Sequence, residues 1–262
     1  MTAKLAQEGF LSVIGQQLEY RWIAPQQPNW PILVLLHEGL GCVAMWKEFP
    51  KQLAAATDCG VFSYSRAGYG RSDSAVLPRP TRYMHTEGEQ VLPAVLSAAD
   101  IKNPVLIGHS DGGSIALLYA GFYPGSVRAL ILLAPHVFNE PICLQAIAAA
   151  GKSYCTSDMP QRLAKYHGSQ TDDAFWGWHD VWLSPPFQQW NIEASLAAIK
   201  VPVLLIQSLQ DPYGTVAQIE AIAGQVQGPV QQLLLRDCGH APHLDKPEQT
   251  RTAIQEFLVT LM

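Results

Sequence analysis

Basic residues are scarce in this chain of 262 residues, and they are scattered along it without clusters. The 17 Lys and Arg residues are outnumbered by 22 Asp and Glu residues, so the formal net charge is -5. Such a chain has no electrostatic attraction for a nucleic acid or an anionic membrane surface. We therefore expect neither a nucleic acid nor a membrane as its partner.

Long apolar runs are also missing. No stretch reaches the roughly 20 apolar residues of a membrane-spanning helix, and residues 1–9 have neither the apolar core nor the cleavage site of a signal peptide. Cysteine is limited to five residues without C-x-x-C spacing, namely Cys42, Cys59, Cys143, Cys155 and Cys238. We expect reduced thiols and a cytoplasmic location.

Metal-ligating patterns are absent as well. None of the 8 His residues has a second His four positions along, which is the spacing of ligands on a helix. The expected site therefore has no metal. Apolar residues, in contrast, are abundant: 48% of the chain is hydrophobic and only 15% is charged. This composition and length predict one globular domain with a large buried core.

Short apolar runs alternate with segments of helical periodicity along most of the chain. Strands are predicted at residues 10–14, 17–23, 32–36, 61–64, 105–107, 127–133, 201–207 and 230–235, the first two as an antiparallel hairpin. Helices are predicted at residues 43–56, 87–99, 115–122, 216–226 and 247–261. The alternation indicates an α/β fold with a mostly parallel central sheet of about eight strands and helices on both faces.

The alternation stops between residues 136 and 199, a stretch rich in Trp and Phe. We predict a helical lid at 136–199, inserted after the sixth strand into a core formed by residues 1–135 and 200–262. Most of the aromatic side chains would form the small core of this lid. Trp176, Trp178 and Trp182 are candidates for an apolar pocket beneath it.

The most informative motif is Gly108-His109-Ser110-Asp111-Gly112, which fits the pattern G-x-S-x-G. An apolar strand precedes it and a helical segment follows, so Ser110 is predicted at a sharp turn with its hydroxyl exposed. The N–H groups at the start of the helix would stabilise an oxyanion formed beside the serine. This arrangement suits acyl transfer, although the pentapeptide alone also fits an ordinary turn between a strand and a helix.

A serine nucleophile needs a general base, and the base needs an orienting carboxylate. Asp211 follows the strand at 201–207, and His240 follows the strand at 230–235. The carboxyl ends of parallel strands meet at one edge of a sheet, so these side chains are expected beside Ser110. We predict Ser110, Asp211 and His240 as a catalytic triad, in the chain order that this architecture uses.

Several residues near the same edge offer alternatives. His243 is a second candidate base, and Asp237 is a second candidate carboxylate. His136 follows the sixth strand and either enters the pocket or has a structural role. His109 is expected to point into the fold, and His37 is expected to fix its own turn by hydrogen bonds.

Together these segments resemble the α/β-hydrolase fold with a lid, over nearly the whole sequence. The matching pieces are His37-Glu38-Gly39, Arg66-Ala67-Gly68-Tyr69-Gly70, the serine motif, Asp211 and Gly239-His240-Ala241-Pro242-His243. The resemblance implies that Ser110 is the nucleophile, His240 the general base and then acid, and Asp211 the group that orients His240. It also implies an oxyanion hole formed by the backbone N–H groups of Gly39 and Asp111, and no cofactor.

Glu38 departs from the pattern of this family, in which glycine directly follows the histidine. Its carboxylate and that of Asp111 are expected near the oxyanion hole, where negative charge favours a protonated imidazole. We hypothesise that His240 titrates higher than in an unperturbed triad, so that Glu38→Gln moves the acidic limb of kcat/KM to lower pH. The alternative is that Glu38, a candidate pocket residue, turns away and ties loops together.

These observations predict a serine hydrolase that cleaves a small or medium carboxylic ester through an acyl-enzyme. One alternative is hydrolysis of a carbon–carbon bond in a ring-fission-type diketo acid by the same triad. That anionic substrate would need a cation, for which the candidates are Arg66, Arg71, Arg79 and Arg82. Another alternative is a small-molecule receptor with slow hydrolysis. We expect a small-molecule substrate, and either a monomer or a homodimer.

Overall fold

An eight-stranded sheet forms the centre of the fold. The computed structural model describes residues 5–27 and 30–261. The strands are β1 (Glu8–Val13), β2 (Gln16–Ile23), β3 (Ile32–Leu36), β4 (Gly60–Tyr64), β5 (Val105–His109), β6 (Ala129–Leu133), β7 (Val203–Ser208) and β8 (Val230–Leu235). They lie in the order β1-β2-β4-β3-β5-β6-β7-β8. β2 is antiparallel to both β1 and β4, and all other neighbours are parallel. The predicted mostly parallel sheet is confirmed.

Helices follow most of the parallel strands. They are α1 (Phe49–Thr57), α2 (Tyr83–Thr86), α3 (Leu92–Ala98), α4 (Asp111–Phe122), α5 (Pro141–Thr156), α6 (Met159–His167), α7 (Thr171–Leu183), α8 (Ala217–Gln225), α9 (Pro242–Asp245) and α10 (Pro247–Val259). Two of the predicted helices are divided. Lys47, at φ 51°, separates a short 3-10 turn from α1. A π turn at Glu87–Val91 joins α2 to α3, whose first turn holds Pro93, a residue without an N–H group.

Both faces of the central strands β3 to β7 are buried, and alternate residues of each strand point to opposite faces. In β3, Val34 and Leu36 belong to the core that includes residues of α3 and α4. Leu33 and Leu35 belong to the core that includes residues of α1 and α10. This two-sided burial explains why the central strands read as continuous apolar runs in the sequence.

A helical segment (residues 141–198) connects β6 to β7 and comprises α5, α6, α7 and three short 3-10 turns. His167 attaches it to the loops of the sheet. Its Nε2 donates to the carbonyl of Leu40 (2.9 Å), and its Nδ1 accepts from the N–H of Gly70 (3.0 Å). The segment agrees in position with the predicted interruption. Its action as a lid, and the division into a core and a lid, stay predictions.

The first turn of α4 packs directly on the end of β3. A Cβ atom at Gly112 would overlap the carbonyl oxygen of Leu36 and would lie 2.9 Å from that of His37. Glycine is the residue that leaves room for this approach. The loop after β3 and the turn after β5 therefore lie side by side at the carboxyl edge of the sheet.

Gly112→Ala is expected to lower the free energy of unfolding by about 2 kcal/mol or more, because the colliding atoms belong to the backbone and cannot move aside easily. Gly224→Ala is the matched control, since a Cβ at this position in α8 meets no atom within 4 Å. It should be neutral or stabilising by up to about 1 kcal/mol. Urea denaturation measures both variants, and a Gly112→Ala protein as stable as the wild type would contradict the close packing.

Candidate active site

Ser110 occupies the turn between β5 and α4. Its backbone adopts φ 52° and ψ -117°, a left-handed conformation that strains a residue with a Cβ. The neighbouring packing holds this strain, since a Cβ at Gly108 would overlap the backbone of Gly112. Asp111 begins α4, so its N–H has no acceptor within the helix and is available beside the serine.

His240 is hydrogen-bonded to Asp211. The ring Nδ1 donates to the two carboxylate oxygens over 2.9 and 2.8 Å. The N–H of Tyr213 (2.8 Å) and the side-chain amide of Gln207 (3.1 Å) also donate to this carboxylate. Burial raises the pKa of Asp211, but His240 and the N–H of Tyr213 reverse the effect and lower it. The ionised carboxylate holds the proton on Nδ1 and leaves Nε2 free to act as a base. Asp237, the alternative carboxylate, is exposed to solvent.

Ser110 and His240 line one cavity with a volume of about 100 Å³. Gly39 and Asp111, the residues predicted for the oxyanion hole, form part of the same wall. Four of the candidate pocket residues also line it, namely Glu38, His136, Trp178 and Trp182. The structure therefore brings the proposed nucleophile, base and oxyanion-hole residues together around one space.

Four lining residues were missed by the sequence analysis: Leu40, Cys143, Ile147 and Tyr213. Leu40 and Tyr213 lie one and two positions after predicted site residues, so sequence proximity was a usable signal. Cys143 and Ile147 are four positions apart on α5, a spacing that places both on one face of a helix. That periodicity was visible, but nothing in it identified the space that this face would meet.

Trp176 lies outside the cavity, contrary to the prediction. Its indole packs against the rings of Tyr154 and His179, with centroid separations of 5.3 and 5.0 Å. The reason is the phase of α7, in which residues 178 and 182 are four positions apart and share a face. A residue two positions before Trp178 points to nearly the opposite side of the helix.

A buried arginine holds the loop after β3. The Nη1 and Nη2 atoms of Arg66 donate to the carbonyl groups of His37 (2.5 Å) and Glu38 (3.0 Å). His37 fixes its own turn, as predicted. Its Nε2 accepts the backbone N–H of Arg66 (3.0 Å), and its Nδ1 donates to the carbonyl of Glu38 (2.7 Å). The chain around Gly39 is therefore fixed by Arg66 and His37, neither of which lines the cavity.

The carboxylate of Asp111 is held by buried groups. The hydroxyl of Tyr83 donates to its Oδ2 (2.6 Å), and Arg66 forms an ion pair with it at 3.8 Å. Burial raises the pKa of Asp111, while the positive charge of Arg66 and the Tyr83 hydrogen bond oppose that rise. Trp182 donates its indole N–H to the hydroxyl of Tyr83 (3.0 Å). The helical segment is thus linked, through one tyrosine, to the residue that follows Ser110.

Glu38 forms an ion pair with His109. Its Oε2 lies 3.4 Å from Nδ1 of His109, and Nε2 of the same ring donates to the carbonyl of His240 (2.7 Å). Burial alone would raise the pKa of Glu38, but His109 holds it well below its usual range. Burial alone would lower the pKa of His109, but Glu38 raises it above its usual value. The structure therefore favours the alternative in which Glu38 ties loops together, although its side chain still borders the cavity.

Two other histidines near the site are uncharged. Burial, assisted by the nearby His240, lowers the pKa of His136 to about 3. Burial, assisted by His109, lowers the pKa of His243 to about 3. His243 packs against Trp46, with ring centroids 4.8 Å apart, and is not part of the cavity wall. Of the two candidate bases, His240 is therefore the one positioned at the cavity and bonded to a carboxylate.

The parts of the chain that the structure describes hold no group of three or more His, Cys, Asp or Glu side chains placed to bind a metal ion. Among the same residues, no helix has both the length and the apolar character needed to cross a bilayer.

Comparison with known families decides the classification of this fold and site. The family model described as "Alpha/beta hydrolase family" matches residues 33–253, which includes every residue of the proposed triad and oxyanion hole. The chain belongs to the α/β-hydrolase family. This α/β hydrolase is similar to a proline iminopeptidase from Lactobacillus helveticus, with 24% identity over 96% of the present chain and 97% of that protein.

Solved structures agree with this classification. A membrane phospholipase A superimposes with a TM-score of 0.77 at 21% identity, covering 97% of this chain and 86% of that one. The enol-lactonase from Burkholderia xenovorans LB400 superimposes with a TM-score of 0.73 at 19% identity, covering 96% and 100% of the two chains. At such identities the likeness establishes a common fold.

Arg66→Met is expected to destabilise the α/β hydrolase by about 3–5 kcal/mol, because it leaves the buried Asp111 carboxylate without its countercharge and two carbonyl groups without their donor. Arg82→Met is the matched control from the same loop region, since Arg82 is 68% exposed and pairs with Glu89 at 3.4 Å. Its effect should stay within about 0.5 kcal/mol. Urea denaturation checks both, and equal midpoints for the two variants would show that Arg66 does not hold the loop.

Proposed function

We propose that this α/β hydrolase is a serine hydrolase that cleaves small carboxylic esters through an acyl-enzyme intermediate. The observation that carries the proposal is the convergence of Ser110, in a strained turn, with a His240–Asp211 pair on one cavity. A serine hydroxyl and a carboxylate-bound imidazole on one cavity fit the general requirement for an activated serine nucleophile.

In the proposed reaction, Nε2 of His240 accepts the proton of the Ser110 hydroxyl as its oxygen attacks the ester carbonyl. The N–H groups of Asp111 and Gly39 donate to the oxyanion of the tetrahedral intermediate. His240 then returns the proton to the departing alkoxide, which leaves as the alcohol. A water molecule attacks the acyl-enzyme by the same route in reverse and releases the carboxylic acid. Asp211 keeps Nδ1 of His240 protonated throughout.

The cavity supports a small substrate without charge. Its volume of about 100 Å³ is that of a few heavy atoms, so a short acyl group is the best fit. Most of the wall is apolar and is formed by Leu40, Cys143, Ile147, Trp178 and Trp182. Its polar side chains include the neutral His136, which offers hydrogen bonding without charge.

The arginines expected to bind an anionic diketo acid all interact with other groups of the protein. Arg66 is occupied by carbonyl groups of the loop after β3. Arg71 pairs with Glu19 (2.7 Å), Arg79 lies over the ring of Tyr69 (4.6 Å), and Arg82 pairs with Glu89. None of these arginines is in the wall of the Ser110 cavity.

The proposal has three further parts. The partner is a small-molecule substrate, the protein is a monomer or a homodimer, and its location is cytoplasmic. The location is supported by the cysteines, all five of which are free thiols and four of which are buried.

A fluorophosphonate probe is expected to label the wild-type protein once and to leave Ser110→Ala unlabelled, as read by intact mass. His240→Ala should label at least about 100-fold more slowly, because the serine loses its base. Labelling of Ser110→Ala to the same extent as the wild type, or no labelling of the wild type, would overturn the proposal.

A panel of substrates then identifies the type of bond that the protein cleaves. It comprises p-nitrophenyl acetate, butyrate and octanoate, proline p-nitroanilide and a coloured ring-fission diketo acid. Preferred cleavage of the anilide or the diketo acid would contradict ester hydrolysis.

Ile147→Ala is expected to enlarge the acyl site, since Ile147 lines the cavity and is buried. The kcat/KM ratio of octanoate to acetate ester should rise about tenfold, the order of magnitude that a pocket of altered size gives. Ile142→Ala on the same helix is the matched control, because Ile142 is 39% exposed and outside the cavity wall. An unchanged ratio in Ile147→Ala would argue that the acyl group binds elsewhere.

A further inference from the structure

Three loops meet at the ring of His109. Glu38 directly precedes Gly39 of the proposed oxyanion hole, His109 directly precedes Ser110, and the carbonyl bound by His109 belongs to His240. His109 is buried, and its two nitrogens are 3.4 Å from the Glu38 carboxylate and 2.7 Å from the His240 carbonyl oxygen. One imidazole therefore bridges the segments that carry the three parts of the proposed machinery.

We infer that Glu38 and His109 are positioning residues, a three-loop tie that sets the place of the His240 main chain relative to Ser110 and Gly39. The inference rests on the proposed function, because it concerns the same reaction. His109 does not line the cavity, so it acts on the reaction through its neighbours.

The doubly protonated ring is the form that satisfies both contacts. Nε2–H donates to the carbonyl of His240, and Nδ1–H faces Glu38. A neutral ring with its single proton on Nε2 would keep the first contact and leave the second without a proton. Glu38 is the residue that stabilises the second proton, and the pair formed by the buried His109 and the partly buried Glu38 has no net charge.

The charged and titratable groups around His109 come from five segments. They are Glu38 after β3, His240 (ring centroids 5.1 Å apart) after β8, His243 (5.0 Å) in α9, and the more distant Asp211 after β7 and His136 after β6. His243 is held neutral by its burial and does not compete for the proton. The ion pair Glu38–His109 and the hydrogen-bonded pair His240–Asp211 are thus neighbours, so a change of charge in the first pair alters the electrostatic potential at the second.

This arrangement changes the expectation for Glu38→Gln. The substitution removes the negative charge, and the buried His109 then loses its proton as well, so both charges disappear together. The field at His240 stays nearly constant, and the acidic limb of the rate profile should move little. Removal of His109 alone has the opposite consequence. The Glu38 side chain is 23% exposed, against 3% for His109, so it can stay ionised and is then left without a compensating charge near His240.

Two substitutions of His109 separate its hydrogen bond from its charge. His109→Gln places an amide N–H near the position of Nε2 and can keep the bond to the His240 carbonyl. His109→Asn is shorter, places its amide near the position of Nδ1 and loses that bond. Both remove the charge. The readout is the rate constant of inactivation by a fluorophosphonate probe between about pH 5 and 9, which needs no knowledge of the natural ester.

We expect the acidic limb to move to higher pH by about one unit in both His109 variants, because an unpaired carboxylate favours the protonated, inactive imidazole. At optimal pH, His109→Asn should be inactivated about 10- to 100-fold more slowly than the wild type, and His109→Gln within about threefold of it. In Glu38→Gln/His109→Gln the limb should return to its wild-type position.

The inference is wrong if the acidic limb of the pH profile lies at the wild-type position in both His109 variants, or if a folded His109→Asn reacts with the probe at the wild-type rate. If His109→Asn fails to fold, the acidic limbs of His109→Gln and of the double variant still test the inference. Imidazole ¹⁵N NMR offers a readout independent of activity: a histidine that keeps both ring protons above the usual pKa of imidazole should be lost in His109→Gln, and should lose one proton at lower pH in Glu38→Gln. Failure of the proposed function is distinguishable, because the wild-type protein itself would then not react with the probe.

Discussion

The contact of Gly112 with the carbonyl groups at the end of β3 is the constraint on which the site depends. Glycine at this position lets the turn of Ser110 and the loop of Gly39 pack directly against each other, and Arg66 fixes that loop by hydrogen bonds. The proposed oxyanion hole is thereby positioned by backbone contacts and one guanidinium group. Such rigidity is what electrostatic stabilisation of a transition state requires, because donors that are already in place need no reorganisation during the reaction.

Pairing of charges is the second organising feature. Around a small and largely apolar cavity, three carboxylates are each matched by a basic side chain: Asp111 by Arg66, Glu38 by His109, and Asp211 by His240. An unpaired carboxylate in such surroundings would be strongly destabilising. The pairs allow the site to hold several ionisable groups while exposing little net charge to a substrate.

Local patterns in the sequence were sufficient to predict the sheet, its hairpin and the turn of Ser110. Buried strands appear as continuous apolar runs, and the glycine spacing around a serine has a specific steric meaning. Contacts between distant segments left no such pattern, so the roles of Arg66 and His109 emerged only from the fold. The mistaken assignment of Trp176 has a different origin. Composition identified an aromatic helix, but the direction of each ring depends on helical phase, which the prediction did not apply.

The packing of Trp178 on Gly39 has a consequence for how this site can change. A Cβ at residue 39 would occupy the space of the indole ring, so the two positions are sterically one unit although they lie far apart in the chain. A side chain could enter the loop beside the oxyanion hole only if α7 gave up its tryptophan at the same time. Evolution or redesign of the pocket would therefore have to substitute these two positions together. The tryptophan that lines the cavity and the glycine of the proposed oxyanion hole would change as a pair.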